Sequence, residues 1–109
     1  MNKVNEFEQS ILFEIAKEHD QLKSVINTLV VTKRELTGAG SYTDFAPIDT
    51  PVKGDLQILD LSKIINIPGI EHGLGAHIQM SKGVPEFLEI YTYGESNWDG
   101  SYDNFSYEK

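Results

Sequence analysis

The first apolar pattern in the chain has the spacing of an amphipathic helix. From Asn2 to about Glu18, apolar residues recur at intervals of three and four, and charged residues occupy much of the other face. An apolar stripe of this kind needs a sheet to cover it, so we predict a helix packed on a sheet. One or two further helical turns are expected near Leu22 to Ile26. The apolar residues of the helical pattern are Val4, Phe7, Ile11, Leu12 and Ile15.

A β-hairpin is predicted directly after the helical region. Residues 29–37 and 41–48 are rich in strand-forming side chains, and the glycine-rich residues 38–40 between them suit a three-residue turn. Counting outward from such a turn places Arg34 opposite Asp44 on the neighbouring strand. We therefore predict a partly exposed ion pair between them, worth at most about 1 kcal/mol.

Shorter segments complete the predicted sheet. Leu56 to Leu61 has the composition of a short buried strand, whereas Ser62 to Ile67 fits either a helix or a strand and is left open. Ala76 to Met80 is predicted to be a strand that turns at Lys82-Gly83 into a second strand, Glu86 to Tyr93. Apolar side chains on both faces of Glu86 to Tyr93 are typical of a central strand.

The last segment, residues 94–109, mixes aromatic rings with carboxylates. Its Asp99-Gly100 pair marks a turn, and Ser101 to Glu108 is expected to form a last edge strand or an ordered arm. Together the elements predict an α+β fold, with an N-terminal helix packed on a mainly antiparallel sheet of four to six strands. A length of 109 residues with 39% hydrophobic side chains supplies one core, so we expect a single domain over residues 1–109.

The charge of the chain is negative and unevenly distributed. The net charge is −8, of which residues 1–40 contribute −1 (six acids, five bases) and residues 41–109 contribute −7 (eleven acids, four bases). A field of this sign repels phosphate backbones and anionic lipids, and it attracts basic partners. We therefore expect no direct binding to nucleic acid and no membrane association.

The location and the chemistry expected of the chain follow from the residues that it lacks. It has no cysteine, which excludes a disulfide framework and a thiolate nucleophile. No apolar run reaches the roughly 18 residues of a membrane span, and no basic patch precedes an apolar stretch at the amino terminus. A cytoplasmic location is the expectation.

No motif in the sequence predicts catalysis or a cofactor. The histidines His19, His72 and His77 have no metal-site spacing, although Glu71-His72 is a candidate ligand pair. The residues from Asp99 to Asp103 begin like a calcium loop but lack its central glycine and closing glutamate. No serine lies in a Gly-x-Ser-x-Gly frame, and no glycine cluster forms a phosphate cradle. We predict a protein that is not an enzyme and binds no metal or cofactor.

Three stretches rich in glycine turns, strand residues and aromatic residues carry a family resemblance. They run from Arg34 to Phe45, from Ile67 to Ile78 and from Leu88 to Glu95, with Trp98 just beyond. In these stretches the chain resembles small bacterial proteins tied to polymorphic toxin and contact-dependent growth inhibition loci. Such proteins are immunity proteins, each of which binds a cognate toxin domain, often a nuclease, and blocks it. The resemblance implies toxin binding and no catalytic residue.

We expect a basic toxin domain to contact the acidic, aromatic surface toward the carboxyl terminus. Interface anchors are typically aromatic, while the surrounding acids speed encounter and select against wrong partners. The candidate toxin-binding residues are Glu89, Glu95, Trp98, Asp99, Tyr102 and Asp103. An alternative interface on the first hairpin is built around Asp44, Asp49 and Asp55.

Two other functional classes fit the same residues. The runner-up is a small-ligand or peptide-binding module without catalytic activity, in which Tyr91, Tyr93 and Trp98 line a groove. For that groove, the ordinary interpretation places the tyrosines in the sheet and Trp98 as a lid. A hydrolase is a distant third, because nothing in the sequence selects one carboxylate for acid or base chemistry.

Overall fold

The computed structural model of the protein describes residues 3–54, 57–94 and 97–108, and it has an α+β fold. The predicted fold class is confirmed, but the sheet formed by these residues has seven strands instead of four to six. Three of the strands are only three residues long. Ile58–Asp60 lies within the predicted strand Leu56 to Leu61, whereas Ile64–Asn66 and Ser106–Glu108 lie in segments for which the sequence leaves a strand as one of two alternatives. The elements in chain order are α1 (Glu6–Glu18), a 3-10 turn (Asp20–Leu22), β1 (Val31–Leu36), β2 (Gly40–Phe45), β3 (Ile58–Asp60), β4 (Ile64–Asn66), β5 (Leu74–Ser81), β6 (Val84–Thr92) and β7 (Ser106–Glu108).

Helix α1 begins at a capping box. The Asn5 side chain accepts a hydrogen bond from the backbone N–H of Glu8 at 2.7 Å, and the Glu8 carboxylate accepts one from the backbone N–H of Asn5 at 2.8 Å. This cap sets the start of the helix at Glu6, later than the predicted Asn2. The predicted apolar stripe is confirmed, since Phe7 and Ile11 are at most 1% exposed. Among the described residues, no helix is long and apolar enough to cross a membrane.

The strands pair antiparallel around a central hairpin of β5 and β6. The strand order is β1-β2-β6-β5-β4-β7, and β3 also pairs with β5. The predicted turn at Lys82-Gly83 is confirmed, and both residues have positive φ values, 50° and 82°. The central position predicted for Glu86 to Tyr93 is also confirmed, because β6 lies between β2 and β5.

The first hairpin has the predicted strands but a different register. The backbone N–H of Thr37 donates to the Gly40 carbonyl at 2.9 Å, so the turn contains two residues instead of three. Gly40 belongs to β2, where a Cβ would overlap the carbonyl oxygen of Ile90. This shift of one residue places Arg34 opposite Thr43. The predicted ion pair between Arg34 and Asp44 is therefore wrong.

Arg34 pairs with the helix instead. Its Nε and Nη2 donate to the two carboxylate oxygens of Glu8, each at 2.7 Å, and the Thr43 hydroxyl donates to the same carboxylate at 2.7 Å. Burial raises the pKa of the Glu8 carboxyl, but the hydrogen bonds from Arg34, Asn5 and Thr43 outweigh it and hold the pKa below its ordinary value. Through these hydrogen bonds, Glu8 links the first turn of α1 to Arg34 in β1 and Thr43 in β2.

Residues 97–105 pack against the helix side of the sheet. The backbone N–H of Trp98 donates to the Gly38 carbonyl at 2.9 Å, and its indole N–H donates to the Ser101 carbonyl at 2.7 Å. The Trp98 ring meets the edge of Phe7, and Tyr102 stacks on Phe7 with ring centroids 5.2 Å apart. Edge strand β7 follows this segment and pairs with β4. The segment is thus both an ordered arm and an edge strand.

Candidate functional site

The two faces of the sheet have different surroundings. Side chains alternate along each strand, and one set, including Thr43, Ile78, Leu88 and Ile90, is buried on the helix side at no more than 1% exposure. Helix α1 and residues 97–105 both belong to that side. The alternate set forms a second face that we call the open face. Its members are Lys33, Glu35, Tyr42, Asp44, Ile58, Asp60, Gly75, His77, Gln79, Phe87, Glu89 and Tyr91.

A row of polar side chains crosses the middle of the open face. The strand register aligns one residue from each of five neighbouring strands, so that each is the direct cross-strand partner of the next. Directly opposite residues in antiparallel strands have Cβ atoms only about 5 Å apart, so these side chains are in reach of one another. The row consists of Glu35, Tyr42, Glu89, His77 and Asp60.

The Glu89 carboxylate at the centre of this row is held by its neighbours on both sides. Its Oε1 lies 3.1 Å from His77 Nε2, and the Tyr42 hydroxyl donates a hydrogen bond to the same carboxylate, which raises the pKa of Tyr42. The Glu89 side chain is 25% exposed, so it stays accessible while its orientation is held from both sides. Beside it, Tyr42 packs edge-to-face on Phe87 with ring centroids 5.5 Å apart.

An aromatic pair adjoins the polar row. Tyr91 and Tyr93 meet edge-to-face at 5.6 Å, and Tyr91 also lies 5.8 Å from the His77 ring. Both tyrosines lie over Gly75, where a Cβ would come within 2.5 Å of the Tyr93 hydroxyl and 2.6 Å of the Tyr91 ring. The glycine therefore allows the rings to lie against the strand, and this arrangement limits their freedom before any partner binds.

The hydroxyl of Tyr91 is set in acidic surroundings. Burial raises the pKa of Tyr91 to about 12, with further contributions from its hydrogen bond to Tyr93 and from the carboxylates of Asp60 and Glu89. The phenol is therefore neutral at physiological pH. A neutral hydroxyl can donate a hydrogen bond to a partner as well as accept one.

The open face carries excess negative charge. Its carboxylates are Glu35, Asp44, Asp60 and Glu89, and its one lysine is Lys33. At one end of the sheet a shallow groove of 530 Å³ lies beside this surface, with walls that include Asp44 and Phe87. Carboxylates beside aromatic rings offer a protein partner both charge attraction and apolar anchors.

The structure divides the residues predicted from the sequence between the two sides of the sheet. Glu89 and Asp44, which belong to different candidate interfaces, share the open face. Trp98 is 5% exposed on the helix side, in the segment that also carries Asp99, Tyr102 and Asp103. Asp49 follows β2 in an exposed loop. The two remaining candidates, Glu95 and Asp55, lie outside the described residues.

The alternative groove does not bring its three aromatic residues together. Tyr91 and Tyr93 lie over Gly75 on the open face, whereas Trp98 packs against Phe7 on the helix side. Among the described residues, no group of three or more metal-ligating side chains is placed to hold a metal ion.

Of the five residues in the polar row, only Glu89 is among the binding residues predicted from the sequence. His77 was considered only as a metal ligand, and Tyr42, Asp60 and Glu35 were not singled out for binding. The sequence does carry a signal for this face. Polar and apolar residues alternate along His77-Ile78-Gln79, and they alternate again along Leu88-Glu89-Ile90 in the neighbouring strand.

Comparison of the chain with protein-family models, curated proteins and solved structures finds no match. The function of the open face must therefore be inferred from its own chemistry.

Proposed function

We propose that the protein is an immunity protein that binds a basic bacterial toxin domain, most simply a nuclease, and neutralises it. The observation that carries this proposal is the open face, where the row of polar side chains, three of them carboxylates, runs beside aromatic rings. In this proposal the toxin domain docks on that face, and the helix side serves to hold the sheet in shape.

The shape of the open face supports a macromolecular partner. The row from Glu35 to Asp60 spans five strands, which are spaced about 4.8 Å apart, so it extends about 19 Å across the sheet. The neighbouring groove is shallow, whereas small-molecule sites enclose most of their ligand. A broad surface with a few preset aromatic anchors is typical of protein interfaces.

Charge supports a basic partner in particular. A nuclease needs a positive surface to hold the phosphodiester backbone of its substrate. Carboxylates such as Asp44, Asp60 and Glu89 would meet that surface with the opposite sign, which accelerates encounter and disfavours acidic partners. An inhibitor that covers this surface prevents the substrate from binding.

Charge reversal on the two sides of the sheet tests the proposal. We expect Asp44→Lys with Asp60→Lys to slow association with a cognate basic toxin domain by about tenfold or more at low salt. Stopped-flow association at several ionic strengths measures the rate and its salt dependence. Both side chains lie on the open face, and neither makes a side-chain hydrogen bond or ion pair within the described residues.

The matched control is Asp99→Lys with Asp103→Lys, which changes the net charge by the same amount on the other side of the sheet. We expect this pair to slow association much less. Equal slowing by the two pairs would mean that net charge alone matters, and greater slowing by the control would assign the interface to the segment predicted from the sequence. Association unaffected by either pair would contradict electrostatic recognition.

A further inference from the structure

Strand β1 is an outer edge of the sheet, and no strand of the described residues lies beside its exposed side. It pairs with β2 alone, and residues 32–39 are exposed without interruption. Leu36 is 54% exposed in this stretch. An edge of this length presents backbone N–H and C=O groups that can pair with another strand.

The hydrogen-bond pattern identifies which backbone groups point outward. Thr37 and Gly40 form a hydrogen-bonded pair across the turn. In an antiparallel ladder such pairs alternate with non-hydrogen-bonded ones, so Glu35 and Lys33 direct their backbone groups toward β2. Arg34 and Leu36 therefore direct theirs away from the sheet, where a further strand would lie.

The side chains of Lys33 and Glu35 add a charge pattern to this edge. Both lie on the open face, two positions apart, and neither forms an ion pair with any described residue. If a second copy of β1 runs antiparallel with Arg34 opposite Arg34, Lys33 of each copy lies directly opposite Glu35 of the other. The same register hydrogen-bonds the outward backbone groups of the two Arg34 residues.

One like-charge contact in this register is already compensated. The two Arg34 side chains lie opposite each other on the helix side, but each guanidinium is held in a two-point pair with the Glu8 carboxylate of its own chain. Each copy therefore places a neutralised Arg34–Glu8 pair at the centre of the contact. The unpaired charges of Lys33 and Glu35 lie on either side of this centre.

We propose that two copies of the protein associate along β1 about a two-fold axis at Arg34, forming one continuous sheet. The contact covers a single short strand, so the dimer is weak and reversible. The two open faces lie side by side in this arrangement. The proposal does not depend on the proposed function, because the contact involves no toxin.

Complementary charge variants test this register with the protein alone. Sedimentation equilibrium of the unchanged protein should give a mean mass that rises with concentration from the 12.3 kDa of one chain toward twice that value. Lys33→Glu or Glu35→Lys alone places like charges in both cross-dyad positions, so each variant should raise the dissociation constant at least about tenfold. The double variant K33E/E35K restores opposite charges and should recover the dimer.

An equimolar mixture of the two single variants gives the sharpest result. In a mixed dimer both cross-dyad positions carry opposite charges, so we expect the mixture to dimerise although each variant alone does not. Non-specific attraction is not the cause, since the formal net charges are −10 (−8 − 2) and −6 (−8 + 2), both negative. Control variants Lys53→Glu and Glu71→Lys, which make the same charge changes away from β1, should dimerise like the unchanged protein.

Three results would overturn the proposal. The first is a mass that stays at 12.3 kDa at the highest concentration reached. The second is dimerisation that Lys33→Glu and Glu35→Lys leave unchanged, and the third is failure of both the double variant and the mixture to recover it. Because no toxin is present, none of these results bears on the proposed function.

Discussion

Replacing Trp98 by alanine is expected to lower the free energy of unfolding by about 3–5 kcal/mol, the range for removing a large aromatic side chain from a core. The indole is 5% exposed and packs on Phe7, which is itself 1% exposed in α1. Its loss leaves a cavity between the helix and residues 97–105, and it removes the hydrogen bond to the Ser101 carbonyl. Urea unfolding followed by circular dichroism measures the change.

A matched variant separates the ring from its hydrogen bond. Trp98→Phe keeps an aromatic ring against Phe7 but loses the indole N–H, so we expect a smaller loss of about 1–2 kcal/mol. A loss below about 1 kcal/mol for Trp98→Ala would contradict the core role, because truncating a buried aromatic residue costs more than that. Trp98 would then be available as the partner contact predicted from the sequence.

Replacing Arg34 by methionine is expected to lower the free energy of unfolding by about 2–3 kcal/mol, because a buried carboxylate loses its cationic partner. The Glu8 side chain is 3% exposed, whereas that of Arg34 is 36% exposed, so water partly replaces the guanidinium and the loss falls below that of a fully buried pair. Methionine preserves much of the apolar stem of arginine. Urea unfolding at neutral pH measures the effect.

The pH dependence of this loss has a definite sign. The folded-state pKa of Glu8 is lowered from 4.5, so the stabilisation is present above 4.5 and is lost as the pH falls through the folded pKa. In Arg34→Met, the guanidinium no longer offsets the effect of burial on the Glu8 carboxyl, so the pKa of Glu8 rises. The stability difference between the two proteins should therefore be largest at neutral pH and shrink in acid.

The control for Arg34→Met is Lys17→Met. Lys17 forms an ion pair with Glu14 at 2.8 Å, but its side chain is 66% exposed, and Glu14 also pairs with Lys63. We expect a loss below about 0.5 kcal/mol for this exposed pair. If Lys17→Met and Arg34→Met had equal effects at every pH, the Glu8 network would contribute no more than a surface ion pair.

The elements that the sequence predicted are those with a strong local signal. Helix α1 shows in the spacing of Phe7, Ile11 and Ile15, and the two long hairpins show in glycine-containing turns between strand-forming residues. Of the three-residue strands, β3 lies within the predicted strand Leu56 to Leu61, whereas the sequence leaves the segments of β4 and β7 open, because the pairing of these two strands depends on distant partners. Ile65 of β4, for example, lies between Leu74 and Tyr107.

The register of the first hairpin could not be read from composition. Residues 38–40 suit a three-residue turn, but Gly40 enters β2 because only a residue without a Cβ fits against the Ile90 carbonyl. That contact is made with β6, fifty residues further along the chain. It shifts the register of the hairpin by one residue, so Arg34 lies opposite Thr43 and pairs with Glu8 instead of Asp44. Local turn preferences carry no information about such a contact.

The candidate site was predictable in its chemistry but not in its location. The sequence predicts a toxin-binding surface of acidic and aromatic residues, and Glu89 and Asp44 are among the candidates for its two alternative positions. Which residues share a face depends on strand register and on which side the helix packs. Trp98 was predicted to contact a partner because its burial by α1 is invisible in composition.

Hydroxyl-radical footprinting of the complex with the toxin domain tests most directly whether the open face is the binding surface. The method reports the exposure of individual aromatic side chains, and both sides of the protein carry suitable reporters. The account predicts that toxin binding protects Tyr42, Tyr91 and Tyr93 while the labelling of Phe13, which is 40% exposed on α1, stays unchanged. Protection of Phe13 and Tyr102 with unchanged labelling of the open-face tyrosines would contradict it.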